Sequence, residues 1–170
     1  TLRHLLCGVL PRAVRDAQPF WLVHNFVRDR TRSIRQDMTY QSLCSPRTVR
    51  MLERMARFHI LSEHVLCEED PNNFEAFQNM EQLNKVLITL RHQYADLRRA
   101  GHRFAHEAEF RAYFVLTHIE QDVSEYLAQL DSTLLASPPV QFVIAAWQAM
   151  RQRNYVRYFR LVRRAPYLPA

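Results

Sequence analysis

Residues able to do chemistry are few in this chain, and most of them lack a necessary partner. His106-Glu107-Ala108-Glu109-Phe110 has the beginning of a zinc-protease helix, but Phe110 stands where the second histidine must be. His102 and His106 have a His-x3-His spacing, with no cysteine near in sequence to complete a tetrahedral site. His59, His64 and Cys67 share one helical stretch, yet 59 and 64 fall on different faces. Glu107 and Glu109, read as an acid–base pair, are two apart on a helix and point different ways. No glycine-rich phosphate loop and no nucleophile elbow is present. We read no catalytic residue, no metal site and no cofactor.

What remains is arginine. The formal net charge is +6, and lysine occurs once, at Lys85. Arginine suits bidentate recognition of phosphate or carboxylate better than lysine does. Three rows at helical spacing stand out: Arg28, Arg32 and Arg35; Arg47, Arg50, Arg54 and Arg57; Arg153, Arg157, Arg160 and Arg164. Charge rows are usually solvated faces balanced by nearby acids. Here Glu53 is the one acid between Arg47 and His59, and none lies between Arg151 and Ala170. Rows so poorly neutralised repel themselves, so a ligand of opposite sign would relieve them. Both the phosphates of a nucleic acid and an acidic protein partner fit.

The first row belongs to the helix that organises the chain, Phe20 to Gln41. At about 100° per residue, Phe20, Val23, Phe26, Val27 and Ile34 form a wide apolar stripe. Arg28, Arg32 and Arg35 lie on another face, beside His24 and Trp21. Arg30 points into the stripe. A buried guanidinium stays charged and needs carboxylates around it. We expect a structural ion pair from Arg30 to Glu107 or Glu109, with Asp37 as the second choice. On that reading Arg30→Ala costs about 3 kcal/mol or more, and Arg32→Ala little.

The other elements follow from local signals. Thr1 to Leu10 reads as the tail of a helix and Pro11 to Gln18 as a loop. Ser45-Pro46 is an N-cap followed by proline, opening a helix to about Glu68 with Met51, Leu52, Met55, Phe58, Ser62, Val65 and Leu66 inside. Asp70-Pro71-Asn72-Asn73 breaks it. From Phe74 to Ala100, Met80, Leu83, Leu87, Leu90, Tyr94 and Leu97 step by three and four, a seam for a neighbouring helix that Gly101 closes. His106 to Glu120 and Asp122 to Leu130 are helical. Ser137-Pro138-Pro139 opens a helix with Val140, Val143, Ile144, Trp147 and Met150 on its stripe. The last helix puts Tyr155, Tyr158, Phe159 and Val162 inside and its arginines outside, until Pro166 and Pro169 stop it.

Only two glycines, Gly8 and Gly101, occur in 170 residues, too few for the turns of a sandwich or a phosphate-binding α/β fold. We therefore expect an all-α fold: one domain of stacked antiparallel helix pairs, a tetratricopeptide-like α-solenoid with degenerate repeats. Three cysteines without CxxC spacing fit a reduced, intracellular compartment. No apolar run reaches the roughly 20 residues of a membrane span. No signal peptide is visible, and the start at Thr1 reads as a fragment boundary.

Phe26 to Gln41 (FVRDRTRSIRQDMTYQ), His106 to Leu116 (HEAEFRAYFVL) and Asn154 to Leu168 (NYVRYFRLVRRAPYL) closely resemble the SAC/GANP family. These are scaffold subunits of the nuclear-pore-associated TREX-2 complex, which couples transcription to mRNA export. Arg54 to Asp70 and Leu83 to Gly101 look like the family's intervening helices, in the right order, and the block Asp29 to Arg35 is specific to it. The resemblance implies a helical array followed by a winged-helix module, together a PCI-like unit, of which this chain holds the helical part. It implies a PCI-domain partner, a small acidic DSS/Sem-type protein, and single-stranded mRNA as ligand. Location would be the nucleus and the nuclear pore. Carried over by position, Arg28, Arg32 and Arg35 would meet RNA or the transcription machinery, with Arg30 and Glu109 internal. A shorter, centrosome- and spindle-associated branch of the family is the alternative, acting through protein docking alone.

Overall fold

Three helices of this chain end in the same way, and only one of them ends on glycine. Leu43 N donates to Met38 O (2.9 Å), His102 N to Leu97 O (2.9 Å) and Asn154 N to Ala149 O (2.8 Å), each wrapping the backbone over the last turn. The residue inside each wrap is left-handed: Ser42 at φ 50°, Gly101 at φ 87° and Arg153 at φ 52°. This satisfies carbonyls that the helix would otherwise leave bare. Gly101 was legible as such a stop; Ser42 and Arg153 hold a conformation that costs a side chain about 1 kcal/mol or more.

The computed structural model describes Leu2, residues 5–9 and residues 18–165. Among the described residues all regular structure is helical. A π-helical turn, Leu5–Val9, is followed by α1 (Phe20–Tyr40), α2 (Pro46–Leu66), α3 (Ala76–Arg99), α4 (Glu107–Thr117), α5 (Ser124–Ala128), α6 (Ser132–Leu135), α7 (Pro138–Arg151) and α8 (Tyr155–Val162). The expected helices are present, packed as in an α-solenoid. The loop read from Pro11 to Gln18 (Gln18 apart) and the stops at Pro166 and Pro169 lie outside the described residues.

The chain forms two compact units, Thr1–His102 and Arg103–Ala170. In the first, α2 packs against both α1 and α3. Ser45 starts α2 with a reciprocal box: its Oγ accepts from Thr48 N (3.2 Å) and its own N donates to Thr48 Oγ1 (2.9 Å). The α3 seam is buried as its spacing predicts, at Leu83, Leu87, Leu90, Tyr94 and Leu97. It faces Leu52, Met55 and Phe58 of α2 within a core that also buries Val23 and Val27 of α1; Leu6 packs on Val23, Val27 and Phe58.

Polar residues also occupy this seam, and periodicity of apolar residues alone did not show them. His59 Nδ1 donates to Asn79 Oδ1 (2.8 Å), while Asn79 Nδ2 donates to His59 O (3.0 Å) and Glu63 Oε2 (2.8 Å). Gln93 Nε2 donates to Leu43 O (2.9 Å) and Gln93 Oε1 accepts from Thr48 Oγ1 (2.9 Å). Gln82 Oε1 accepts from Arg35 (2.9 Å). These three amides are thus each paired across a helix boundary, as burial of a polar group favours.

In the second unit α7 is central, packed by α4, α6 and α8. Ser137-Pro138-Pro139 opens it as expected. Its buried side is Val140, Val143, Ala146 and Ala149, while Ile144, Trp147 and Met150 are half-buried. The two alanines were missed because their small side chains carry little hydropathy; they let neighbouring backbones approach.

Candidate functional site

The three arginine rows fare differently. On α1 the buried side is Val23, His24, Val27, Thr31 and Met38. That axis lies about 40° further round the helix than a stripe containing Phe26 implies. Phe26 is in fact 47% exposed. Counting it as core pulled the expected axis toward Arg30; His24 and Thr31, both polar and both buried, set the true one. Arg30 is therefore exposed, its guanidinium carbon 5.5 Å from the Phe26 ring centre. Asp37 is exposed as well. The inward placement of Arg30, and its ion pair, are corrected accordingly.

The same rotation brings Arg35 inward. Half-buried, it donates to Gln82 Oε1. Burial, and then the charge of Arg32, lower its pKa from the ordinary arginine value, while Glu81 raises it. Arg28 is also half-buried and bonds Asp29 Oδ1 through Nε (3.2 Å) and Nη2 (3.1 Å). Of the first row only Arg32 is fully on the surface, and Arg30 joins it there.

The guanidinium held inside is Arg111, which the row pattern overlooked. It is 7% exposed and donates through Nε (3.2 Å) and Nη2 (3.0 Å) to Glu107 Oε1; Glu107 is 2% exposed. Burial opposes its charge, but Tyr126 and Glu107 more than offset this and raise its pKa above the usual value. Glu107 is thus an internal carboxylate whose ion-pair partner is Arg111 and not Arg30. The signal was available: Glu four residues before Arg, within a helix flanked by Phe110, Ala112 and Phe114. Glu109 is half-buried, with Oε2 3.7 Å from His106 Nδ1.

On α2, Arg47, Arg50 and Arg54 are exposed and Arg57 is half-buried. The neighbouring acid does not neutralise them from outside. Glu53 is buried and accepts from Tyr94 Oη at 2.8 Å. Of the expected inner face, Val65 is exposed; Thr48, Val49, Ala56 and His59 are buried with Leu52, Met55, Phe58, Ser62 and Leu66.

The third row is the most open. Arg153, Arg157, Arg160 and Arg164 are all exposed, and Arg163 with them. Asn154 caps α8, its side chain accepting from Arg157 N at 3.0 Å. Tyr155 and Phe159, expected inside, are 54% and 59% exposed, and Val156 is exposed too. Their side of α8 is open among the described residues, whereas Tyr158, Leu161 and Val162 of this helix, which packs on α7, are half-buried. Val156, Phe159, Arg160, Arg163 and Arg164 line a shallow groove. One aromatic ring, Phe159, lies there beside three guanidinium groups, a combination able to take a stacked base next to phosphates.

Among the described residues no three His, Cys, Asp or Glu side chains are grouped so as to hold a metal ion, and no helix is long and apolar enough to cross a membrane. A family model for the SAC3/GANP family matches residues 1–170. The chain belongs to the SAC3/GANP family. This is a family of scaffolds, not of enzymes. Protein xmas of Drosophila melanogaster is 41% identical over 81% of the chain, and SAC3 family protein 1 of Schizosaccharomyces pombe 39% over 92%. SAC3 family protein B of Arabidopsis thaliana is 33% identical over the whole chain. The chain spans 7%, 15% and 11% of those proteins' lengths, respectively.

Proposed function

We propose that this chain is the helical part of a non-enzymatic scaffold in a TREX-2-type complex coupling transcription to nuclear mRNA export. It binds a PCI-domain subunit, alongside a small acidic protein of the DSS/Sem type, at the nuclear pore, and adds basic surface to RNA binding. The observation that carries the RNA part of this reading is α8. Six arginines and no acid occupy Arg151 to Ala170, the arginines from Arg153 onward are exposed up to Arg164, and Tyr155 and Phe159 lie open beside them. Arg32, exposed on α1, supplies a second, smaller basic point, available to RNA or to the transcription machinery.

A salt titration of single-stranded RNA binding tests this. Phosphate contact gives a log–log slope that becomes shallower by about 0.7 for each contacting arginine removed from a single-strand complex. Removing Arg157, Arg160 and Arg164 together therefore reduces the slope by about 2. Phe159→Ala lowers affinity without changing the slope, because a stacking ring carries no charge. Absence of RNA binding at about 50 mM salt would leave the protein-docking role of the shorter, centrosome-associated branch as the better account.

A further inference from the structure

The outer side of α2 combines two properties that the rows on α1 and α8 do not. Arg47, Arg50, Arg54, Leu61 and Val65 fall within about 60° of one another around the helix. All five are exposed, Leu61 at 46% and Val65 at 51%. One continuous strip is thus cationic in its first half and aliphatic in its last turn and a half. Arg54 and Leu61 are about 10 Å apart along the axis, and the strip runs about 27 Å from Arg47 to Val65.

Its charge opposes the helix's own field. The N-terminal turn of a helix carries a partial positive charge and favours acids. The first turn of α2 contains no acid and instead presents Arg47, with Arg50 one turn on. Arg47 and Arg54 make no ion pair among the described residues, Arg50 reaches the carbonyl of Pro46 in its own turn, and Glu53 is turned inward to Tyr94. Positive charge accumulates here with no internal relief. Nor does the strip suit unpaired bases. Leu61 and Val65 offer no π-face, and Phe58, the aromatic residue of α2, is buried.

We infer that this strip of α2 docks an acidic amphipathic helix of a partner protein, carboxylates over Arg47, Arg50 and Arg54 and aliphatic side chains over Leu61 and Val65. This does not rest on RNA contact by α8. A docked amphipathic helix presents apolar anchors at i and i+4, and Leu61 and Val65, at the same spacing, offer them a matching exposed pair.

The test uses the 170-residue chain and two 24-residue helical peptides. Each carries glutamates on one face of one half and leucines on the same face of the other, in opposite order so that both orientations are offered. A scrambled peptide of equal composition is the control, and fluorescence anisotropy is the readout. Expected is binding by one ordered peptide at least tenfold tighter than by the scrambled one. The triple change Arg47→Gln, Arg50→Gln, Arg54→Gln and, separately, Leu61→Gln with Val65→Gln each weaken it at least tenfold, with unchanged helicity by circular dichroism. Equal binding of ordered and scrambled peptides, or no binding of either ordered one, overturns the proposal. So does indifference to the Leu61 and Val65 changes, which would reduce the strip to a charge patch. If the arginine changes instead lower affinity for oligouridine and leave peptide binding alone, the strip is a nucleic-acid surface and the proposal fails.

Discussion

Replacing Arg111 by alanine removes the charge that Glu107 depends on. Glu107 has almost no exposed surface, and both of the contacts from Arg111 go to one of its oxygens, at 3.0 and 3.2 Å. Breaking a buried pair from one side costs about 3–5 kcal/mol, because the remaining carboxylate loses its cation in a poorly polar site. Arg30→Ala, in contrast, loses an exposed cation–π contact with Phe26, about 0.5–1 kcal/mol. Replacing both members of the buried pair by apolar residues of similar volume, Glu107→Leu with Arg111→Met, restores most of the loss, since removal of both charges also removes their desolvation. Urea unfolding followed by far-ultraviolet circular dichroism and by tryptophan fluorescence measures all three. Equal losses for Arg30→Ala and Arg111→Ala would show that the internal guanidinium has been misassigned. A double variant no better than Arg111→Ala would refute the electrostatic account of the site.

Acid sensitivity follows from His24. The ring is buried between Phe58, stacked at 5.5 Å, and Phe74, edge-on at 5.0 Å, and neither ring nitrogen has a partner. Burial first, and then the positive neighbours His59 and Arg28, lower its pKa from 6.5 to about 4. The unfolded chain therefore binds more protons between those values, so stability is full above pH 6.5 and is lost as pH falls toward 4, on the order of 2–3 kcal/mol. His59, also lowered by burial, acts in the same direction. His24→Phe flattens this slope and adds about 1 kcal/mol at pH 7; unfolding midpoints at pH 7 and pH 4.5 that shift in parallel for both proteins would refute it. At the helix ends, Arg153→Gly stabilises the fold by up to about 1 kcal/mol by relieving the left-handed backbone. Gly101→Ala costs about 1 kcal/mol although nothing lies within 4 Å of the added carbon. Opposite signs in thermal melts would show that these turns are not strained in this way.

Much of the architecture was open to reading in the residues. Ser45-Pro46, Gly101 and Ser137-Pro138 are local signals, and the α3 seam repeats often enough for its face to be assigned. Rotation of a helix about its axis was harder. On α1 one exposed phenylalanine and two buried polar residues shifted the axis enough to exchange the roles of Arg30 and Arg35. On α8, Tyr155 and Phe159 have core-like composition but no helix among the described residues covers them, and composition does not report which apolar faces find a neighbour. The row on α8 was legible because all its arginines lie where no acid follows. The pairing of Arg111 with Glu107 was not read because a single arginine among aromatics makes no row.

The amides of α3 bear on how force passes through the first unit. Asn79 and Gln93 are pegs set into α2 and the turn before it, and Gln82 is one set into α1. Many helical stacks behave as springs, their layers sliding a little as they bend. Here a slip of one turn, about 5.4 Å, would pull every peg from its socket at once and leave buried amides without partners. The three helices therefore resist sliding and tilt together, so a load applied at Arg54 or Leu61 is passed on to α1.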